Sequence, residues 1–90
     1  MIIEKKCWPQ YFEKILSGDK NFELRINDFD CKAGDTLVLR EFNPLIGYTG
    51  RTVTKTITYV LDTKSLNIWT DTQIQTYGFK ILALKEKMKQ

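Results

Sequence analysis

No histidine occurs anywhere in the 90 residues, and that absence removes every mechanism that relies on an imidazole, the Ser-His-Asp triad foremost. Cysteine is nearly as scarce. With only Cys7 and Cys31 present, a zinc site would have to recruit two carboxylates beside two thiolates, an unusual donor set. An activated thiol would need a cation such as Lys6 or Lys32 beside it. The two thiols are therefore read as reduced, and either buried or idle. No apolar run approaches the roughly 20 residues that span a bilayer. The opening Met1-Ile2-Ile3-Glu4-Lys5-Lys6 also lacks the charged-then-apolar order of a secretory signal, so a cytoplasmic protein with no membrane partner is expected. There is no internal repeat and no low-complexity segment. Charge of one sign is also in short supply. A net charge of +3 gives a slight lean toward anionic partners, far from the strongly basic character of a dedicated nucleic-acid binder.

What is present fits one small domain over residues 1–90, with 42% hydrophobic and 28% charged residues. The positive excess lies in the second half, much of it in Lys80, Lys85, Lys87 and Lys89 near the end of the chain. Ile2 to Cys7 reads as a short strand or extended lead-in. A helix follows, because Pro9 suits the first helical turn and Trp8, Tyr11, Phe12, Ile15 and Leu16 recur at i, i+3, i+4, i+7 and i+8. Gly18 supplies a left-handed stop. Thr36 to Phe42 reads as a strand with Leu37 and Leu39 inward and Arg40 outward. Asn43 to Gly50 is a connection punctuated by Pro44 and two glycines. A third strand is expected from Arg51 to Leu61, where threonines alternate with Val53, Ile57, Tyr59 and Leu61. Lys55 interrupts its apolar face, which a bulge, a sheet edge or a polar cavity would accommodate. Asp62 to Thr76 reads as a long polar loop of the kind that forms lids. Tyr77 to Leu84 reads as a closing strand.

One stretch looks like a site. Gly18-Asp19-Lys20-Asn21-Phe22-Glu23-Leu24-Arg25, read as a strand, sends Phe22, Leu24 and Ile26 to one face and Asn21, Glu23, Arg25 and Asn27 to the other. Residues two apart on a strand lie roughly 6–7 Å apart on one face. Glu23 and Arg25 can then share a ligand or pair with each other, and Lys20 reaches the same region. The bland alternative is a solvated strand face with a surface ion pair, worth roughly 0–1 kcal/mol.

The order of motifs resembles the ASCH domains, the activating signal cointegrator homology group within the PUA-like barrels, and most of all their small bacterial and phage branch of unknown function. The likeness rests on Trp8-Pro9-x-Tyr11-Phe12, Gly18-x-Lys20-x-x-Glu23-x-Arg25, Gly34-Asp35-x-Leu37-x-Leu39 and Tyr48-Thr49-Gly50-Arg51, followed by Thr58-Tyr59-Val60-Leu61 and the segment from Gly78 to Leu84. It implies a mostly β, α+β fold: a small PUA-like β-barrel with an N-terminal helix packed against it and one or two short helices in all. It also implies a cleft beside that helix, proposed for the group to take RNA or a nucleotide-like ligand. Some ASCH proteins are amidohydrolases on acylated cytidine that use a Lys, a Thr nucleophile and a Glu. Lys20 matches the lysine, but Glu23 stands where the threonine would be, and the opening strand lacks the histidine that relatives often carry there.

The expected function is therefore an RNA- or nucleotide-binding module with Lys20, Glu23, Arg25, Tyr48, Thr49, Arg51 and Trp69 as ligand residues. Arg25 and Arg51 suit paired hydrogen bonds to phosphate, Lys20 offers a point charge, and Glu23 can accept from an exocyclic base amine. Trp8, Tyr48 and Trp69 are the candidates to stack a base, with Trp8 assigned to the helix stripe and Tyr48 and Trp69, both in expected connections, the better placed. The alternative is a small amidohydrolase on an acylated nucleoside or similar amide, with Lys20 and Glu23 as the catalytic pair and Thr49 or a water in place of the missing hydroxyl. No cofactor and no metal are expected.

Overall fold

A computed structural model describes residues 1–87, so Lys89 of the basic tail lies outside the described residues. The chain comprises two compact units, Met1–Val60 and a second beginning at Leu61. The first holds strand β1 (Ile2–Cys7), helix α1 (Pro9–Leu16), strand β2 (Thr36–Asn43) and strand β3 (Gly47–Thr56). These strands form one mixed sheet in the order β1-β2-β3, with β2 parallel to β1 and antiparallel to β3. The arrangement is α+β. Among the described residues the three strands form an open mixed sheet, and no further strand closes it into a barrel.

Parallel pairing dictates the topology of this unit. Two parallel strands cannot be joined by a hairpin, so the chain from Cys7 must travel back along the sheet before entering β2. Helix α1 and the chain from residue 17 to residue 35 make that return. Pro9 sits in its first turn, where a missing N–H costs nothing. Gly18, at φ +83°, reverses the chain just past its end. The helix packs Phe12 and Ile15 onto the sheet, where they meet Cys7 and Leu39, with Leu37 and Val53 at the margin. The expected stripe is thus narrower in fact. Trp8, Tyr11 and Leu16 remain about half exposed, because a two-turn helix lying on three strands covers only the i, i+3 pair.

Register sorts the remaining side chains. Ile3 pairs with Leu37, Lys5 with Leu39 and Cys7 with Glu41. Leu39 in turn pairs with Val53. Cross-strand partners share a face, so these residues form the covered side beneath α1. The opposite face carries Glu4 and Lys6 of β1, Thr36, Val38 and Arg40 of β2, and Thr52, Thr54 and Thr56 of β3. Between Arg40 and Phe42 the β2–β3 register slips, leaving Glu41 opposite the Thr49-Gly50-Arg51 segment. This is a bulge, and Gly50 at φ +93° makes it possible. Lys55 lies on the outermost strand and is exposed, so the sheet edge accommodates it.

Several expected elements differ. Residues 18–26 form no strand. Leu24 and Ile26 are 69% and 77% exposed, and among the described residues no strand pairs with the segment. Its alternation is real, but its charged side chains pair with one another where a ladder was expected. The connection before β3 is only the turn at residues 44–46, so Tyr48 and Thr49 belong to a strand. Strand β3 ends at Thr56 rather than Leu61, and Tyr59 and Leu61 are exposed.

The second unit contains a single 3-10 turn (Thr63–Ser65) and helix α2 (Asp71–Tyr77) where a loop was expected, and residues 78–87 form no strand. The helix start carries a capping box. The Thr70 hydroxyl accepts the Gln73 N–H at 3.1 Å, and the Gln73 side chain accepts the Thr70 N–H at 2.9 Å. Trp69 and Phe79 pack edge to face, with ring centroids 5.7 Å apart. Among the described residues no helix is long and apolar enough to cross a membrane.

Two substitutions test this account. Phe12→Ala empties the centre of a core with few members and should cost about 3–5 kcal/mol in urea unfolding. Gly50→Ala has open space for its Cβ, so its cost is conformational, about 1–2 kcal/mol. A neutral Gly50→Ala would show that the bulge does not need the left-handed backbone.

Candidate functional site

Two charged networks and one cleft meet around the C-terminal end of β1, all within the first unit. The first network is the Lys20–Glu23–Arg25 group. The Lys20 ammonium donates to Glu23 Oε1 at 2.9 Å and to the Phe22 carbonyl at 2.9 Å. Arg25 Nε donates to Glu23 Oε2 at 2.9 Å. Arg25 Nη2 also donates to the backbone carbonyl of Lys6, tying the loop to β1. Glu23 is thus saturated by cations on both oxygens. All three side chains are at least two-thirds buried, so the group is fixed more firmly than the surface pair of the bland reading.

The second network is built on Glu41. Alternation from Leu37 and Leu39 turns this carboxylate inward, where it is 4% exposed. A buried carboxylate requires partners, and the bulge delivers them. Thr49 Oγ1 donates to Glu41 Oε1 at 2.6 Å, while Arg51 Nε and Nη2 donate to Oε1 and Oε2 at 2.9 and 2.7 Å. Arg51 Nη2 continues to Glu13 on α1, and its guanidinium lies 5.0 Å from the centre of the Phe12 ring. Arg51 therefore clamps strand to helix around a buried charge. Hydrogen bonds from Arg51, then from Thr49, hold the Glu41 carboxyl at about 2, and the bonds to Glu41 and then to Glu13 raise the guanidinium.

Cys7 lies between the two networks. Burial, followed by the Glu23 carboxylate, pushes its thiol up, against the opposing pull of Lys20 and Arg25. A raised, buried thiol that packs among Phe12, Ile15 and Leu39 and donates to the Trp8 carbonyl is core rather than nucleophile. Both cysteines are free.

An open cleft of about 380 Å³ lies mainly on the opposite face of the sheet, lined by Glu4, Lys6, Arg25, Arg40 and Tyr48, with Lys5 of the covered face also on its wall. The Arg40 guanidinium lies 4.1 Å from the Tyr48 ring centre. The Lys6 ammonium lies 4.3 Å from the Phe42 ring, which itself meets Tyr48 edge to face at 5.1 Å. The Lys5 ammonium lies 3.7 Å from the centre of the Phe29 ring.

The expected site residues thus divide. Lys20, Glu23 and Arg25 come together as read, and Arg25 and Tyr48 reach the cleft. Thr49 and Arg51 come together as well, but on Glu41. Trp69 belongs to the second unit. The sequence reading missed Lys6, Arg40 and Glu41 as site residues. Alternation places Lys6 on the outer face and Glu41 on the inner one, a signal present in both strands. Their importance follows from register, which pairs Lys6 with Arg40.

The two buried carboxyls set the acid stability. Asp35, 2% exposed, accepts the Lys32 N–H at 2.9 Å and further bonds from the Met1 amino group and the Lys32 ammonium. These bonds hold it at about 2, below an ordinary 3.8, while Glu41 falls to about 2 from 4.5. Both are more acidic folded than unfolded. Their stabilisation is complete above about pH 4.5 and drains away as pH falls toward 2. Urea unfolding across that window should show a steep loss of stability. Glu41→Gln should be less stable at neutral pH yet flatter between pH 4.5 and 2. An unchanged slope in that variant would remove Glu41 from the account.

Comparison with known proteins agrees with the phage branch of the resemblance. An uncharacterised protein of Escherichia phage P2, described as a 12.9 kDa protein in the GpA 3′ region, is 41% identical over 61 residues, covering 68% of this chain and 55% of the relative. The chain thus spans about half the length of that curated relative. No solved structure matches. A family model described as a domain of unknown function, DUF3850, matches residues 2–74, which include both networks and the cleft, and the chain belongs to that family.

Proposed function

We propose that the chain is a binding module for single-stranded RNA or a nucleotide-like ligand, received in the cleft on the outer face of the sheet. The observation that carries this reading is the composition of the cleft. Lys6, Arg25 and Arg40 surround the half-exposed Tyr48 ring. Cations that track a phosphate backbone beside an aromatic platform are what a single strand requires. Glu4, on the same wall, can accept a hydrogen bond from a sugar hydroxyl or a base amine. The motif blocks shared with ASCH domains point the same way, and membership of the PUA-like barrels is part of the same proposal. In it the Lys20–Glu23 pair holds Arg25 in place instead of touching the ligand.

The hydrolase alternative has less support. Lys20 and Glu23 are in contact, but each is already engaged, and the Thr49 hydroxyl proton is directed to Glu41. A nucleophile with a free base beside it is what that chemistry needs.

Titration of a fluorescent single-stranded RNA at two salt concentrations tests the binding reading. Three phosphate contacts give a log–log slope of about −2, so a fourfold rise in salt should weaken binding roughly twentyfold. Arg40→Ala, on the outer face, should weaken binding and reduce that slope by about 0.7. Absence of binding at low salt, or binding indifferent to both Arg25→Ala and Arg40→Ala, would refute the reading.

A further inference from the structure

Lys6 and Arg40 are direct cross-strand partners in the β1–β2 register. Like charges placed opposite each other are destabilising unless something answers them. Among the described residues no carboxylate pairs with either one. Each instead rests against an aromatic ring, Lys6 at Phe42 and Arg40 at Tyr48. A ring face attracts a cation without cancelling its charge. The third cation is brought to the same place by a dedicated anchor. Arg25 reaches the cleft from the loop, with Nε held by Glu23 and Nη2 held by the backbone carbonyl of Lys6 itself. Its Nη1 hydrogens make no bond among the described residues. The guanidinium is therefore fixed in position with donors to spare, the condition for a preorganised oxyanion contact.

The charge balance of the cleft narrows what it takes. Lys6 and Arg40 contribute one positive charge each. The Lys20–Glu23–Arg25 group adds one more, since a single carboxylate answers two cations. Glu4 removes one, and Lys5, on the same wall with its ammonium over the Phe29 ring, restores one. The remaining three positive charges exceed the single negative charge of an internal phosphodiester. They favour a phosphomonoester, which carries about −1.5 to −2 at neutral pH. We propose that the cleft binds a terminal phosphate group, the phosphomonoester end of an RNA strand or of a free nucleotide, through Lys6, Arg25 and Arg40. This rests on the nucleotide-binding reading above and specifies which part of the ligand the cleft selects.

Matched oligoribonucleotides carrying a 5′-phosphate, a 3′-phosphate or hydroxyls at both ends, together with a nucleoside 5′-monophosphate, test it in the full chain. At least one phosphorylated end should bind about tenfold more tightly than the hydroxyl-ended strand, the value of one charge-assisted hydrogen bond. Inorganic phosphate should compete with it. The preference should vanish in Lys6→Ala and in Arg40→Ala, whose side chains stand outside the core, while urea unfolding confirms that both variants fold. Tight binding of the free monophosphate would assign the site to nucleotides, and tight binding of the phosphorylated strand alone would assign it to RNA ends. Equal binding of phosphorylated and hydroxyl-ended strands overturns the proposal and leaves RNA binding standing. So does a preference that survives both substitutions. Failure of every oligonucleotide and of the monophosphate to bind overturns both readings together.

Discussion

The parallel pairing of β1 with β2 is the constraint from which the rest of the first unit follows. It forces the chain after Cys7 back across one face of the sheet, so α1 covers that face and gives Phe12 and Ile15 a surface on which to pack. The same pairing sets Lys6 opposite Arg40 on the other face and Cys7 opposite Glu41 beneath the helix. The crossover also carries the loop of residues 18–26 past the end of β1, where Arg25 bonds the Lys6 carbonyl. Core, buried carboxylate and cationic cleft are three consequences of one register.

The polar groups on the two faces serve different ends. Beneath α1, Glu41 is buried and would be costly alone, so Thr49, Arg51 and, through Arg51, Glu13 close around it. Breaking such a group is expensive because it leaves a charge without a partner, and an arginine committed in this way has little left for a ligand. On the outer face the balance is reversed. Lys6 and Arg40 have aromatic neighbours but, among the described residues, no carboxylate in an ion pair with them, and Arg25 keeps donors in reserve. Charge that is satisfied internally builds the fold, and charge left over is available for binding.

The slip between Arg40 and Phe42 connects these roles. By placing Gly50 at positive φ, the bulge turns Thr49 and Arg51 together onto Glu41. Past the bulge, Tyr48 pairs with Phe42 and stands beside the Arg40 side chain. One extra stretch of backbone in β3 therefore closes the inner network and completes the outer cleft.

Local chemistry was readable from the residues alone where neighbours in sequence decide it. Pro9, the Phe12–Ile15 spacing and Gly18 specify α1, and the alternation around Leu37 and Leu39 specifies β2, because helix and strand periods are properties of a few consecutive residues. The Lys20–Glu23–Arg25 group was legible for the same reason, although as a braced loop and not a strand. Thr70 and Gln73 carried a capping signal for α2 that the polarity of the surrounding stretch obscured. What the residues could not specify was which strand lies beside which, and in what register. Alternation says that Lys6 points away from Cys7 and that Arg40 points away from Leu39. Only tertiary structure makes those two cations neighbours, because pairing across 34 positions of chain is decided by how α1 packs and where β2 bulges, not by any local preference.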